Sequence, residues 1–198
     1  LMDNLYADTV PSSWSKIAWP SMRPLGSWIL DVNKRLNQLQ TWTEHSIDIP
    51  RSTWLGGLRN PQSFLTAIKQ VAAQEDKLEL QTLVIFTDIL KKSADEVDAP
   101  AKVGAMVHGL YLEGARWNSS SSILEPSKPK EMYFPMPAIN CRAVTANRLD
   151  VSNVYHCPVY KTKMRTASTF VVSAQLKTKS PPARWVLAGV ALVLDVGV

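Results

Sequence analysis

The chain has 198 residues, 45% of them hydrophobic and 20% charged, which is the composition of a soluble globular chain able to bury a core. Its formal net charge of +5 is uneven: residues 1–100 carry 10 Lys+Arg against 12 Asp+Glu, and residues 101–198 carry 12 against 5. Two cysteines exclude a disulfide framework, and the longest apolar run, residues 185–194, is too short for a bilayer, which needs about 20 residues.

Taken in chain order, the first part has helical spacing. "SSWSKIA" places Trp14, Ile17 and Ala18 at i, i+3 and i+4, and Pro20 stops it. In "RPLGSWILDVNKRLNQLQTW", Pro24 suits a first turn, and Leu25, Trp28, Ile29, Val32, Leu36, Leu39 and Trp42 form one apolar stripe. Gly26 costs that helix about 1 kcal/mol relative to Ala, which implies close packing or a later start. "RSTWLGGL" reads as a short apolar turn or helix ended by Gly56 and Gly57, with positive φ available to both. Asn60 and Pro61 then open a helix over about 61–75, with Phe64, Leu65, Ile68, Val71 and Ala72 on its apolar face.

The period then changes. "LQTLVIFTDIL" is rich in β-branched residues and reads as a strand. "VGAMVHGLYLEGARW" is a strand bent near Gly109, with a turn at Gly114. "EMYFPMPAINCRAV" carries two prolines, which suit an edge or a bend. In "VSNVYHCPVYKT", Tyr155, Cys157 and Val159 alternate against Val154, His156, Pro158 and Tyr160. "ASTFVVSAQLKT" sends Phe170, Val172, Ala174 and Leu176 to one side, and "RWVLAGVALVLD" is a closing strand. "NSSSSILEPSKPKE" is a polar loop of low complexity. The fold class expected is α+β: a helical part, residues 1–78, followed by a small antiparallel, incomplete β-barrel, residues 79–198.

The motifs of common chemistry are missing. There is no GxxxxGK[ST], no GxGxxG and no GxSxG, so no catalytic or cofactor-binding residue is assigned. Cys141, Cys157 and His156 lack the spacing of a metal site, and His156 and Cys157, as strand neighbours, face opposite ways; both thiols are expected to be reduced and metal-free. His45 and His108 have no ligand partners either. Glu113 lacks a second carboxylate and is read as a turn or salt-bridge residue. Asn118 opens a glycosylation pattern that means nothing without secretion, and no signal peptide opens the chain, so a reducing cytosolic setting is expected. Leu1 is preceded by no initiator Met, so the chain reads as a piece of something longer.

"PLGSW" (24–28), "WLGGLRNPQSFLTAIKQ" (54–70), "GLYLEGARWN" (109–118), "VYHCPVYKT" (154–162) and "WVLAGVALVL" (185–194) occur in this order. Together they resemble the C-terminal domain of dynein heavy chains, over nearly the whole chain. "LEGARW" and "YHCPVYKT" are more similar to axonemal than to cytoplasmic heavy chains. The serine- and proline-rich stretch 118–130 departs from the pattern and carries no inference.

The resemblance implies a regulatory domain without catalytic residues, packed on the AAA+ ring of the same heavy chain. It implies a parent motor that uses ATP and Mg to walk toward microtubule minus ends, alongside other dynein subunits. The setting it implies is the cytoskeleton of a cilium or flagellum, the axoneme, with no nucleic acid and no membrane as partner. Trp28, Trp42 and Trp54 are then expected in the core, and Trp14 and Trp19 near the ring. The basic half reads as a solvated face or as a surface for an acidic partner; the alternative function is a free-standing β module for single-stranded nucleic acid, through Tyr155 and Tyr160 beside Lys161, Lys163 and Arg165. Tyr155 and Tyr160 are five apart and face opposite sides of a regular strand, which weighs against that reading.

Overall fold

The computed structural model describes residues 2–19, 21, 23–146 and 153–194. Pro20, the first two residues of the strand predicted over 151–162, and Asp195 lie outside them. Two short helices, α1 (Met2–Tyr6) and α2 (Ser12–Ser15), precede the long α3 (Leu25–Glu44). Pro24 sits in extended backbone just before α3. The free N–H groups of the first turn are met from a distance: Leu25 donates to the Asp8 carbonyl at 3.0 Å and Gly26 to the Asp8 carboxylate at 3.0 Å. A carboxylate there also complements the helix dipole. Gly26 therefore marks neither close packing nor a late start, since an added Cβ would meet only Asp8 at 3.8 Å.

The face that α3 buries differs from the one its apolar spacing predicts. Leu25 and Trp28 are buried, but so are Asp31 and Arg35, while Ile29 and Leu36 are 42% and 49% exposed. The reason is the turn after β1 (Thr53–Trp54). Arg35 donates to the Asp31 carboxylate at 2.8 Å and to the Gly56 carbonyl. Its guanidinium carbon lies 4.9 Å from the Trp54 ring centre and 5.7 Å from that of Trp19. One helical turn on, Gln38 accepts from the Trp54 N–H at 2.9 Å and donates to the Trp54 carbonyl at 3.2 Å. A polar line on α3 thus supplies the partners that the short turn at 54–57 lacks.

Gly56 and Gly57 lie in a 3-10 turn without positive φ, contrary to the sequence expectation. Their role is close approach: a Cβ on Gly57 would sit 2.5 Å from the Trp54 ring, and one on Gly56 2.9 Å from the Leu194 carbonyl. α4 (Pro61–Glu75) follows as predicted, with the Asn60 side chain accepting from the Ser63 N–H at 3.2 Å.

The remaining strands are β2 (Leu83–Ile89), β3 (Ala105–His108), β4 (Tyr111–Glu113), β5 (Ala115–Asn118), β6 (Ile123–Pro126), β7 (Tyr133–Pro135), β8 (Ile139–Thr145), β9 (Val154–Tyr160), β10 (Phe170–Lys177) and β11 (Ala191–Val193). They form a four-stranded sheet β1-β3-β8-β2, a five-stranded sheet β10-β9-β11-β4-β7, and the hairpin β5-β6. Gly109, at φ +80, carries the chain from β3 in one sheet to β4 in the other. The class is α+β. The sheets are not wholly antiparallel, because β1 pairs with β3, and β11 with β9, in parallel. No closed barrel forms among the described residues; β2 and β10, each a sheet edge, are joined by side chains instead of a ladder. There Thr87 donates its N–H to the Gln175 side chain at 2.9 Å, and Gln175 donates its own N–H to the Thr87 hydroxyl at 2.8 Å.

Three local readings change. The closing apolar run splits into α5 (Pro182–Leu187) and β11, with Gly189 at φ +65 between them. β10 has a bulge between Phe170 and Val172, so Val171 joins Ala174 and Leu176 in the core while Phe170 is exposed. The polar stretch 118–131 contains β6, which buries Leu124. β9 alternates as expected, with Tyr155, Cys157 and Val159 buried, and Pro135 lies on the edge strand β7. One core cluster joins Leu55 and Leu65 to Val107, Leu112, Leu176 and Leu192.

Replacing Arg35 by Ala takes the nearer cation from the buried Asp31 carboxylate, leaving Arg23 at 3.9 Å, and is expected to cost about 3 kcal/mol in urea unfolding. The double variant Asp31→Ala, Arg35→Ala should lose less than the sum of the single losses. Additive losses would show that the pair does not act as a unit.

Candidate functional site

The titratable groups singled out in the sequence are placed apart. Cys141 and Cys157 are both buried and unpaired. Burial pushes the Cys141 thiol up to about 12 and drives the Cys157 thiol up as well. His156 projects to the exposed side of β9, away from Cys157, and His45 is exposed beyond the end of α3. The His108 ring nitrogen lies 2.8 Å from the Ser52 hydroxyl. Burial, and secondarily the Lys34 cation, lower its pKa from the usual 6.5, with Asp95 opposing. Glu113 accepts from Arg165 at 2.6 Å, the salt-bridge reading. Among the described residues no three His, Cys, Asp or Glu side chains are grouped to hold a metal ion.

The proposed base-stacking pair is likewise divided. Tyr155 is 4% exposed and donates its hydroxyl to the Val190 carbonyl at 2.7 Å. Tyr160 packs edge-on against Phe170, ring centres 5.9 Å apart. Buried Tyr155 presents no free ring face, so the two rings cannot together form the stacking platform that sequence-tolerant binding beside Lys161, Lys163 and Arg165 requires. Of the basic half, Arg142 pairs with Asp88 at 2.9 Å and Arg165 with Glu113, whereas Lys128, Lys130, Lys163 and Lys179 are exposed.

The surface that stands out is apolar and belongs to the helical part. Ile29 and Leu36 lie two turns apart on one line of α3, and Leu30, 72% exposed, lies just over a quarter turn further round. Leu5, Tyr6 and Ile17 are exposed on the short helices and just beyond them. Trp28 and Trp54 are core residues as expected, and Trp42 stacks on Phe64 at 6.3 Å. Trp14 stacks on Trp28 at 6.1 Å, and both Trp14 and Trp19 are half-buried within the domain, so exposed aliphatic residues supply most of this apolar surface. Sequence spacing found the helix but not its orientation. The signal it lacked is the set Asp31, Arg35 and Gln38 at i, i+4 and i+7, which marks a second, polar buried line.

Beside Leu30, a cleft of about 480 Å³ opens between α3 and the β3–β4 corner, lined by Arg23, Lys34, Trp54, His108 and Met136. Lys34 places its ammonium 4.5 Å above the Trp54 ring centre. A second cavity of about 1220 Å³ lies over the outer face of the first sheet and the hairpin, with Phe86, Arg142, Trp117 and Gln175 in its lining.

The fold is that of an α+β domain with exposed apolar residues along its helical part, Tyr6, Ile17, Leu30 and Leu36 among them, and a further exposed pair at Val186 and Leu187. Over residues 1–194 the sequence matches the family of the C-terminal domain of the dynein heavy chain, and it belongs to that family. It is 47% identical over 196 residues to the dynein beta chain of the flagellar outer arm of Chlamydomonas reinhardtii. It is 42% identical to dynein axonemal heavy chain 9 of Homo sapiens, and 41% to a ciliary dynein beta chain of Heliocidaris crassispina. Each match covers 99% of this chain and 4% of the relative's length.

Both thiols should stay unlabelled by a small disulfide reagent at about pH 8 until the chain unfolds, because burial holds them neutral. The unfolded Cys141 ionises near 9.0 and the folded one near about 12. Its contribution to stability is therefore intact below pH 9 and lost as the pH rises above that. Rapid labelling of the native chain would contradict the burial of both.

Proposed function

We propose that this chain is the non-catalytic, regulatory C-terminal domain of an axonemal dynein heavy chain. It packs on the AAA+ ring of its own heavy chain and modulates ATP-driven, minus-end-directed movement along microtubules in cilia or flagella. ATP and Mg are handled elsewhere in the parent chain, and other dynein subunits are met through the parent motor. The observation that carries this reading is the exposed apolar face of α3, formed by the line Ile29 and Leu36 with Leu30 beside it, on a family member whose relatives are flagellar, axonemal and ciliary heavy chains. Burial of such residues against a partner is the main source of docking energy. We read residues 1–78 as the helical part and residues 79–198 as the incomplete barrel, a reading supported by the Gln175–Thr87 exchange that links the two sheet edges.

The test uses a heavy chain truncated ahead of this domain, with the domain added back in trans. Leu30→Asp with Leu36→Asp should weaken docking by about 3 kcal/mol, roughly a hundredfold in Kd. Both side chains are already exposed, so the fold should lose no more than about 0.5 kcal/mol. Docking and gliding speed unchanged by the pair would sink the reading of this face.

The basic half is not expected to grip the track. Co-sedimentation of the domain with microtubules should be weak and should vanish with added salt, as for non-specific attraction between exposed charges. Saturable binding that survives salt would make this a second track-binding site.

A further inference from the structure

From residue 151 to residue 194 the chain has no acidic residue, and it carries six Lys and Arg. Three of these, Lys161, Lys163 and Arg165, fall in the loop between β9 and β10, immediately before Thr166-Ala167-Ser168-Thr169. Ser168 is exposed and lies in a single 3-10 turn, Ala167–Thr169. Its hydroxyl has one hydrogen-bond contact, with the Thr166 hydroxyl at 2.9 Å. Three Ser or Thr residues in the chain have an arginine three positions before them: Ser119, Thr145 and Ser168. Ser119 is half-buried, and Arg116 ahead of it lies 5.3 Å from the Phe134 ring centre. Thr145 is half-buried in β8, paired with Leu83. Ser168 is the exposed one of the three, and it has two further cations ahead of its arginine.

We propose that Ser168 is a phosphorylation site for an arginine-directed protein kinase, and that the Arg165 contacts with Glu113 and Gly189 control its use. Such kinases read an arginine ahead of the acceptor through carboxylates in the substrate groove, the geometry to which a guanidinium is suited. In the transfer, the Ser168 oxygen bonds to the γ-phosphorus of ATP. The bond from that phosphorus to the β,γ-bridging oxygen breaks, ADP leaves with the electron pair, and the hydroxyl proton passes to the kinase's base.

The folded loop does not offer Arg165 freely. Arg165 takes φ +48 and donates to the Glu113 carboxylate at 2.6 Å and to the Gly189 carbonyl at 2.6 Å. A kinase groove must first take the guanidinium from both, so the loop is a masked substrate. The product reverses the competition. A phosphate brings about −1.5 to −2 charge and three acceptor oxygens into a loop of three cations, and it draws Arg165 from Glu113. Release of the Gly189 carbonyl then frees the turn between α5 and β11, next to Val186 and Leu187, which are 64% and 89% exposed.

The test is incubation of the purified chain with ATP and an arginine-directed kinase, with the phosphate mapped by mass spectrometry and the initial rate measured. The expected result is one phosphate at Ser168, absent from Ser168→Ala. Glu113→Gln, which weakens the mask and leaves the acceptor intact, should raise the rate about threefold, the size of losing one half-exposed ion pair. A free peptide of residues 158–172 should react faster than the folded chain. Hydrogen exchange of residues 186–190 should quicken on phosphorylation. No phosphate on the peptide, a phosphate mapped elsewhere, or equal rates for wild type and Glu113→Gln would each overturn the proposal.

Discussion

Arg35 is a cation 3% exposed to solvent, and the shape of the helical part depends on how its charge is held. A buried guanidinium is tolerated only where an anion and carbonyls replace its water. Asp31 supplies the anion from the preceding turn of α3, and Gly56 supplies the carbonyl from a turn whose glycines let the backbone come close. That turn rests on Leu194 at the end of β11, and Trp54 within it pairs through β1 with β3. One side chain thus links the long helix to both sheets. It also sets the roll of α3 about its own axis, because Asp31, Arg35 and Gln38 must all face the turn. With that line turned inward, Ile29 and Leu36 are turned out. The apolar surface follows from the polar anchor.

Elements whose signals are local could be read from the sequence. Asn60-Pro61 fixes the start of α4 through a side-chain cap and a preset φ, and the alternation of β9 survives because its partners on both sides share its register. What could not be read depends on distant partners. The roll of α3 rests on a carbonyl 21 residues away. The bulge in β10 follows from its pairing with β9, and nothing in "STFVVSA" marks it. The run 185–194 has an apolar content that suits helix and strand alike; the Gly189 turn and the parallel pairing with β9 decide where one becomes the other. The family could be read because its matching segments span the chain. The candidate surface could not, because an apolar stripe does not say which of its edges is covered.

The two sheets approach closure along β2 and β10 but meet through side chains. Gln175 fills the positions where a neighbouring strand would bond, accepting from the Thr87 N–H and donating to the Ile85 carbonyl. A side-chain amide can satisfy one such position, whereas a ladder satisfies a row. The seam is therefore held at one point, and the cavity beside it stays open. The edge β7 takes Pro135, which cannot donate to a further strand, and this blunts the other end of the second sheet.

Charge is unevenly divided along the chain, and exposed apolar residues occur in both halves. Exposed aliphatic residues of α1 and α3 lie in the half with net charge −2, while the half with net charge +7 carries exposed Lys128, Lys130, Lys163 and Lys179 on loops, with Val186 and Leu187 exposed as well. An apolar line gains free energy from any surface that excludes water, so by itself it specifies a partner poorly. Exposed cations give little energy but strong orientation, since a wrong approach meets repulsion. In the proposed docked state the two are complementary: the α3 face supplies strength, and the lysine-bearing loops restrict the angle at which it is used. Arg165 is set apart from those lysines by its bonds to Glu113 and Gly189. A change of charge in its loop would therefore act first on Glu113 of β4 and on the Gly189 turn ahead of β11, whereas the Arg35 anchor meets the other end of β11, through the turn that approaches Leu194.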